Sequence, residues 1–510
     1  MNSRQDDSIT KVLVLISLAK VIFHVATSQG YGYFRDEFYY IACSEHLAAG
    51  YVDQPPLSIF LLWLSRSILG DSLFAIRFLP AVAGGLTIWF TGKIARELGS
   101  STFGVILSTL AVFAVPSYLG NNHYYSMNSF DILCWTAGTF VFLRILKEGK
   151  PRDWILLGII LGLGLLNKIS VLWFGAGIFV GLLLSPSRKY FLTPWPWIAG
   201  LIAVILFSPY VIWQMQNDWP TLEFMRNATQ DKMATTPPMQ FMLGQIDEMN
   251  PFLLPIWLIG LLFYFVLPGG RRYRACGWIY ITVFAILILN QKSRPGYLGP
   301  AYPMLFAAGA TTIADWIDAF RVHWLKPVIA AIVIVAGIVV VPFAVPVLPV
   351  ESYIAYAKKM GVAPSTEENK EIGELPQFYA DMFGWDAHIT ELTRIWNQFS
   401  PEDQKRCKIF GSNYGQAGAI NFLGRKHGLP AAISSHNNYW LWGPGDFTGE
   451  CLITMGGSAE QKKRFFENAE PVGKIDCKYC MPYEDNKVVY LCRHVKGPVN
   501  EVWKQIKHYD

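Results

Sequence analysis

The sequence predicts a polytopic α-helical membrane protein of about eleven spans, with a small extracytoplasmic α/β domain at its C-terminal end. Three observations carry the prediction. The chain is 52% apolar and only 16% charged, whereas ordinary soluble domains carry roughly 25% charged residues. The apolar residues are bunched: Thr193–Trp213, Phe252–Pro268 and Pro327–Pro349 contain no Asp, Glu, Lys or Arg. Each is long enough, or nearly so, to cross a ~30 Å hydrocarbon core as a helix. Basic clusters recur between the runs, and all of them fall on one side. A buried soluble helix explains one such run but not about ten of them.

Spans are read at 11–29, 75–96, 101–119, 129–147, 153–167, 169–185, 192–215, 252–268, 275–290, 297–317 and 327–348. Lys93/Arg96, Arg144/Lys147/Lys150/Arg152, Arg188/Lys189, Arg271/Arg272/Arg274 and Arg321/Lys326 lie on the side that the positive-inside rule makes cytoplasmic. Clusters at both ends of 153–185 require an even number of crossings, so this stretch is read as a tight pair turning at Asn167-Lys168. The same parity puts the amino terminus inside and residues 30–74, 120–128, 216–251, 291–296 and everything after 349 outside, as in a bacterial inner membrane with a periplasmic domain. No A-x-A cleavage site follows the first run, which is read as a retained span. The 18 Trp and 24 Tyr, many near span ends, fit interfacial belts. No basic stripe with interleaved aromatics is present, so nucleic-acid partners are not expected.

The loop at 30–74 is semi-apolar. Asp36–Gly50 and Pro56–Gly70 read as amphipathic helices along the membrane surface, separated by Pro55-Pro56, which suits a helix start. Residues 1–349 therefore form one expected unit, the transmembrane part, and 350–510 a second of ordinary composition. In the second, strands near 407–411, 430–434, 451–455 and 487–492 alternate with helices near 414–427, 458–469 and 498–508. It holds Cys407, Cys451, Cys477, Cys480 and Cys492. At least one structural disulfide is expected there, in preference to a zinc site built from Cys477, Cys480, Cys492 and His494.

The residues able to carry chemistry gather on the outer side. Arg35-Asp36-Glu37 stands in an aromatic stretch bordering lipid, where a carboxylate needs a partner or a purpose. Successive helical positions point in different directions, so one carboxylate can serve as general base while the other pairs with Arg35 or caps the helix. Asp53, before Gln54-Pro55-Pro56, is by itself an ordinary turn residue. Asp131 opens the fourth span and has an N-cap reading. Three acidic positions from distant loops suggest a shared site for a hydroxyl or amine acceptor, or for a divalent metal. Lys168 and Arg294 are the basic counterparts and suit a lipid phosphate, with snorkelling to headgroups as the plainer account. Lys20 and His24 lie inside the first span, without a partner that the sequence identifies.

These motifs, in this order, resemble the polyprenyl-phosphate-sugar-dependent glycosyltransferases of the GT-C superfamily. The chain is most similar to the bacterial branch that includes relatives of protein O-mannosyltransferases and lipid A aminoarabinose transferases. The resemblance rests on Asp36-Glu37 after the first span, on Asp53-Gln-Pro-Pro-Leu57 and on Lys292-Ser-Arg-Pro-Gly-Tyr-Leu-Gly-Pro-Ala-Tyr-Pro303. It extends more weakly to Ser412-Asn-Tyr-Gly-Gln-Ala-Gly418 and Ser435–Pro444. It implies a sugar donor on polyprenyl phosphate and a lipid, glycan or protein acceptor. It also implies an inverting displacement, with Asp36 as base and Asp131 as the second acidic position. Glu37 is grouped with these two as a supporting carboxylate. Lys168, Arg294 and Tyr297 are expected at the donor phosphate, and Arg35, Tyr40 and Asp53 in positioning. Some members bind a divalent metal through an acidic residue near the Asp53 turn and a histidine of a later outer loop. Residues 216–251 contain no histidine, so the resemblance carries no metal dependence over, and Asp53 is the metal ligand to look for if there is one. The runner-up from another class is a transporter or flippase of lipid-linked sugars. That class places its ionisable residues near the bilayer midplane in repeated halves, a pattern not seen here.

Overall fold

The computed structural model describes residues 3–510. Sixteen α-helices precede residue 345: Ser3–Thr27 (α1), Arg35–Glu45 (α2), Leu57–Leu69 (α3), Leu73–Glu97 (α4), Thr102–Phe113 (α5), Pro116–Asn121 (α6), Met127–Glu148 (α7), Pro151–Asn167 (α8), Val171–Leu183 (α9), Trp195–Gln216 (α10), Pro220–Asn227 (α11), Pro238–Glu248 (α12), Leu254–Phe265 (α13), Arg274–Leu289 (α14), Pro303–Ala319 (α15) and Leu325–Ala344 (α16). Every predicted apolar run is helical, though not every helix is of full span length. Six helical stretches are long and apolar enough to cross a membrane, and up to eight if two bent pairs each count as one. The runs at 101–119, 153–167, 252–268 and 297–317 yield shorter helices. Residues 101–119 show why: Thr102–Phe113 has 12 residues, roughly 18 Å at 1.5 Å per residue. It stops short of Pro116, whose ring cannot continue a helix, and a second helix begins there.

The surface of the bundle is that of a polytopic membrane protein. Leu15, Leu18 and Ile22 on α1, Leu201, Val204 and Ile205 on α10, and Val335 and Ile338 on α16 are all more than half exposed. Stripes of this kind need lipid rather than water against them. Inside, small residues let backbones touch. A methyl group at Gly260 of α13 would overlap the Leu305 carbonyl of α15, and one at Gly309 would overlap the Ile256 carbonyl.

The two ends of the bundle differ. At one, the basic clusters meet: Lys147 pairs with Glu97 (2.9 Å), Arg144 with Asp153 (3.0 Å), and Arg272 donates to the Leu146 carbonyl (3.1 Å). The other carries α2, α3 and the region after residue 349. That region holds a five-stranded sheet in the order β2-β1-β3-β5-β4. Its strands are Cys407–Phe410 (β1), Ala432–Ile433 (β2), Cys451–Met455 (β3), Phe466–Ile475 (β4) and Lys487–Val495 (β5). β1 runs parallel to β2 and β3, and β5 antiparallel to β3 and β4.

The helix expected over 458–469 is corrected to a short one, Ala459–Lys463, followed by β4. Pro471 cannot donate to a ladder, so β4 is an edge strand with a register shift at Pro471/Gly473. Two disulfides form, Cys407–Cys451 across β1 and β3 and Cys477–Cys480, leaving Cys492 as a buried thiol. The sheet region and the first long loop share one core. Tyr39, Ile41 and Cys43 of α2 pack in one cluster with Ile409, Ile453 and Leu491.

Candidate active site

The break between α1 and α2 is fixed by one buried ion pair. Glu37, at the third position of α2, turns back to accept the Phe34 amide (2.9 Å), a capping interaction that starts the helix. Its two oxygens also take a bidentate pair from Arg77 of α4 (2.8 and 2.8 Å) and the Tyr125 amide (2.8 Å). Arg77 goes on to donate to the carbonyls of Ser28 (2.6 Å) and Gly32 (2.7 Å). The Glu37 side chain is 0% exposed. Four donors occupy its lone pairs, so it holds the loop against the bundle and has nothing left to offer a substrate. Tyr40 is also framework: buried, it accepts the Met127 amide (3.1 Å) and packs edge-on against Tyr125.

Asp36 faces the other way. Its side chain is 34% exposed, and it accepts a hydrogen bond from the Tyr414 hydroxyl (2.8 Å) and approaches Arg35 Nε (3.4 Å). Arg35 reaches across to the sheet region, donating to the Tyr483 hydroxyl (2.6 Å) and pairing with Asp381 (3.5 Å). Glu368 stands within 4.0 Å of three cations: Arg35 (4.0 Å), Lys232 (3.9 Å) and Arg294 (3.3 Å). Burial works against the charge of Glu368, but Lys232, Arg35 and Arg294 overcome it and hold the carboxyl below the ordinary glutamate range. Asp381 goes the other way: burial, only partly offset by Arg35, pushes it up to about 6.

The belt continues through Arg294, which also faces Glu367 (3.4 Å). Tyr297 follows within the turn Pro295–Ala301, and Lys168 Nζ stands 5.5 Å from its ring centre. Lys168 caps the end of α8, where the chain leaves the helix. It donates to Asn128 Oδ1 (2.8 Å) and lies 3.5 Å from Asp131, whose same oxygen accepts from Ser170 (2.9 Å). In the other direction, the Tyr414 ring packs on Tyr39 (4.8 Å), and the Tyr39 hydroxyl donates to Asp53 (2.9 Å). Burial raises Asp53 to about 6 despite the Tyr39 hydrogen bond.

Seven nominated residues, Arg35, Asp36, Asp53, Asp131, Lys168, Arg294 and Tyr297, thus join one continuous belt, while Glu37 and Tyr40 stand behind it. Four belt members were missed. Glu368 and Asp381 lie before the first expected strand of the 350–510 unit, and no local pattern sets them apart. Tyr414 lies in the noted 412–418 motif. Lys232 has no signal beyond its charge. Arg77, the anchor behind the belt, did carry a signal, being an arginine inside a predicted span. Lys20 and His24 prove buried: Lys20 Nζ lies over the Phe113 ring (4.9 Å), and the His24 ring lies 6.4 Å from His123.

No group of three metal-ligand side chains among the described residues includes Asp53; the one found is His436, His508 and Asp510. His436 Nδ1 accepts the Tyr414 amide (3.3 Å), which places the ring proton on Nε2, facing Asp510 (2.8 Å). His508 lies 3.2 Å from the other Asp510 oxygen. The three hold one another as hydrogen-bond partners.

Comparison with known proteins agrees with this architecture. Residues 53–213 match the family described as dolichyl-phosphate-mannose-protein mannosyltransferase. An undecaprenyl phosphate-alpha-4-amino-4-deoxy-L-arabinose arabinosyl transferase of Pseudomonas fluorescens is 23% identical over 32% of this chain and 25% of its own length. The lipopolysaccharide core galacturonosyltransferase RgtA of Rhizobium johnstonii is 24% identical over 38% of each chain. The matched stretch thus spans well under half the length of these curated relatives. In fold the likeness extends over nearly the whole chain. The structure of ArnT from Cupriavidus metallidurans bound to undecaprenyl phosphate superposes with a TM-score of 0.62 at 13% identity, covering 94% of this chain and 97% of that one. The archaeal oligosaccharyltransferase AglB from Archaeoglobus fulgidus gives 0.54 at 12% identity, covering 88% and 69%.

Proposed function

We propose that this chain, which is similar in sequence and fold to GT-C glycosyltransferases, is a membrane glycosyltransferase that moves a sugar from a polyprenyl-phosphate donor to an acceptor at the extracytoplasmic face. The observation that carries the reading is the belt itself. A partly exposed carboxylate, Asp36, and two cations, Lys168 and Arg294, share one polar surface at one end of the bundle. Asp36 removes the proton from the acceptor hydroxyl or amine, which attacks the anomeric carbon from the face opposite the phosphate. The C–O bond to phosphate breaks as the new bond forms, and the configuration inverts. Lys168 and Arg294 stabilise the charge growing on the leaving phosphate. Asp131 holds Lys168 in place, and Arg35 and Glu368 orient the wall around Asp36. Residues 1–349 carry the chemistry, and 350–510 close the site from above. The chain sits in a bacterial inner membrane with both belt and sheet periplasmic, so an alkaline phosphatase fused after residue 349 is expected to be active.

The test uses purified protein, polyprenyl-phosphate sugars and membrane extract, with label followed by mass spectrometry. Polyprenyl phosphate should be released only when an acceptor fraction is present, and Asp36→Asn should abolish release while still binding donor. Near-normal turnover by Asp36→Asn would overturn the catalytic assignment. Passage of intact donor across vesicles without release would favour a flippase.

A further inference from the structure

Cys477-Lys478-Tyr479-Cys480 lies in the loop between β4 and β5, and the transfer chemistry above does not use it. The two disulfides of the sheet region are unlike. Cys407 and Cys451 are buried on neighbouring strands (2% and 1% exposed) and join positions 44 residues apart. Cys477 and Cys480 are three residues apart, and only Cys480 is buried (7% exposed); Cys477 is partly open to solvent. A C-x-x-C pair with one reachable and one buried sulfur suits thiol–disulfide exchange. Attack needs a line of approach to the first sulfur, and release needs a second sulfur held beside it. The backbone supports this use. The Cys480 amide donates to Cys477 Sγ (3.3 Å), a bond that strengthens when that sulfur carries thiolate charge. The Cys477 amide is itself held by Asp485 Oδ1 (2.7 Å), which keeps the outer sulfur in place.

The pair is seated on the wall around Asp36. Gly384, with φ of +96°, lies against both cysteines: a Cβ there would stand 3.1 Å from Cys477 Sγ and 3.1 Å from Cys480 Cβ. A glycine turn therefore lets the loop settle this close. Tyr479 packs edge-on against Phe383 (5.9 Å). The covered turn begins at Asp381, whose carbonyl accepts the Arg35 amide (3.0 Å) and whose carboxylate pairs with the Arg35 guanidinium (3.5 Å). Tyr483, three residues after Cys480, accepts from Arg35 (2.6 Å) and donates to Asp381 (3.2 Å). Glu484 accepts from Asn413 (2.8 Å), whose side chain caps the helix Tyr414–Phe422. Arg35 and Tyr414, the two neighbours that steady Asp36, are thus both tied to the segment that this disulfide closes.

We propose that Cys477–Cys480 is a thiol–disulfide exchange site whose substrate is a dithiol, and that its oxidised form holds Arg35 and Tyr414 in place beside Asp36. A thiolate of the dithiol attacks Cys477 Sγ. The Cys477–Cys480 bond breaks with its electron pair going to Cys480 Sγ, which takes up a proton. The second thiol of the reductant loses its proton and attacks the reductant sulfur bound to Cys477. Cys477 leaves as a thiolate facing the Cys480 amide and is then protonated. The reductant ends as a disulfide, having given up two electrons and two protons, and the pair ends as two thiols. The exchange stands apart from the transferase reading; its effect on turnover rests on that reading.

The test equilibrates the full chain in lipid nanodiscs with graded ratios of reduced to oxidised dithiothreitol. Thiols are trapped with N-ethylmaleimide and located by peptide mass spectrometry. Label is expected at Cys477 and Cys480 at a ratio at least about tenfold lower than at Cys407 and Cys451. Reduction of both disulfides at one ratio, or no label at Cys477 and Cys480 before the chain unfolds, would overturn the site. With oxidised glutathione, Cys480→Ser should form a mixed disulfide at Cys477 about tenfold faster than Cys477→Ser does at Cys480; equal rates would overturn the assignment of the reachable sulfur. Hydrogen–deuterium exchange reads the coupling: reduction should raise exchange across 381–384 and 481–485, and an unchanged pattern would overturn it. Turnover should fall about tenfold on reduction and return on reoxidation; reduced protein working at the parent rate would overturn the link to Asp36. Turnover by Asp36→Asn with the thiol exchange intact would instead sink the catalytic assignment and leave the exchange site standing.

Discussion

The two sides of α2 solve opposite problems with adjacent carboxylates. On the bundle side, Glu37 is sealed from solvent and shared between Arg77 and two backbone amides. On the sheet side, Asp36 keeps a third of its side chain exposed and is steadied by a tyrosine hydroxyl and a neighbouring arginine. A buried carboxylate needs full pairing because an unpaired charge in a dry interior is costly. A reactive carboxylate needs the reverse, a free oxygen held in a defined place. The lesson is that the rigid neighbour lets the reactive one be loosely held: Glu37 fixes the backbone from which Asp36 projects.

Substitutions can break this contrast or sharpen it. The largest effect is expected from Asp36→Asn, a loss of about 10²–10⁴ in turnover, with a thermal midpoint close to the parent when both are measured on the same preparation. Glu37→Gln should do the reverse. Removing one partner of a buried ion pair costs about 3–5 kcal/mol, so the variant should unfold at markedly lower temperature and appear at reduced levels in the membrane. If instead Glu37→Gln is as stable as the parent and merely inactive, the division of labour is wrong. Glu368→Gln tests the bridge between Arg35 and Arg294: about a tenfold rise in the donor KM is expected, while equal KM values would separate the two halves of the belt.

The smallest effect is a titration. The Tyr39 hydroxyl favours ionised Asp53, so Tyr39→Phe should raise the Asp53 pKa from about 6 by about one unit or less, read by infrared difference spectroscopy. A folded-state pKa above the unfolded one means that this carboxyl contributes stability fully below its unfolded value of about 3.9, and that the contribution is lost as pH rises through about 6. Asp381 has the same sign, while Glu368, held below its usual range, has the opposite sign and stabilises at higher pH.

Much of the architecture was legible because membranes impose simple constraints. Lipid-facing helices must be apolar along their length, so the helical runs announced themselves, as did the break before Lys168 and the existence of helices at 35–45 and 57–69, although α2 is buried between the bundle and the sheet region and does not lie on a surface. How many of those helices are long enough to cross was less legible, because prolines such as Pro116 divide a continuous apolar run without altering its composition. The strand β4 was misread for a related reason. An exposed edge strand interrupted by Glu467, Glu470 and Lys474 has no period-2 apolar signal, and the chemistry that marks it, Pro471, also ends helices.

The sequence by itself determined the class, the helical bundle, the chemical difference between its two ends and most of the charged residues of the belt. It did so because each follows from local composition or from spacing along the chain. What only the tertiary structure decided was partnership. Arg77 lies 40 residues from Glu37, and Tyr414 lies 378 residues from Asp36. Glu368 joins Arg35 to Arg294 from a segment in which the sequence marked no element and no site residue. A carboxylate's role is set by which donors reach its oxygens and whether water does. Both are properties of how distant segments pack, so neither could be read from the residue or from its neighbours along the chain.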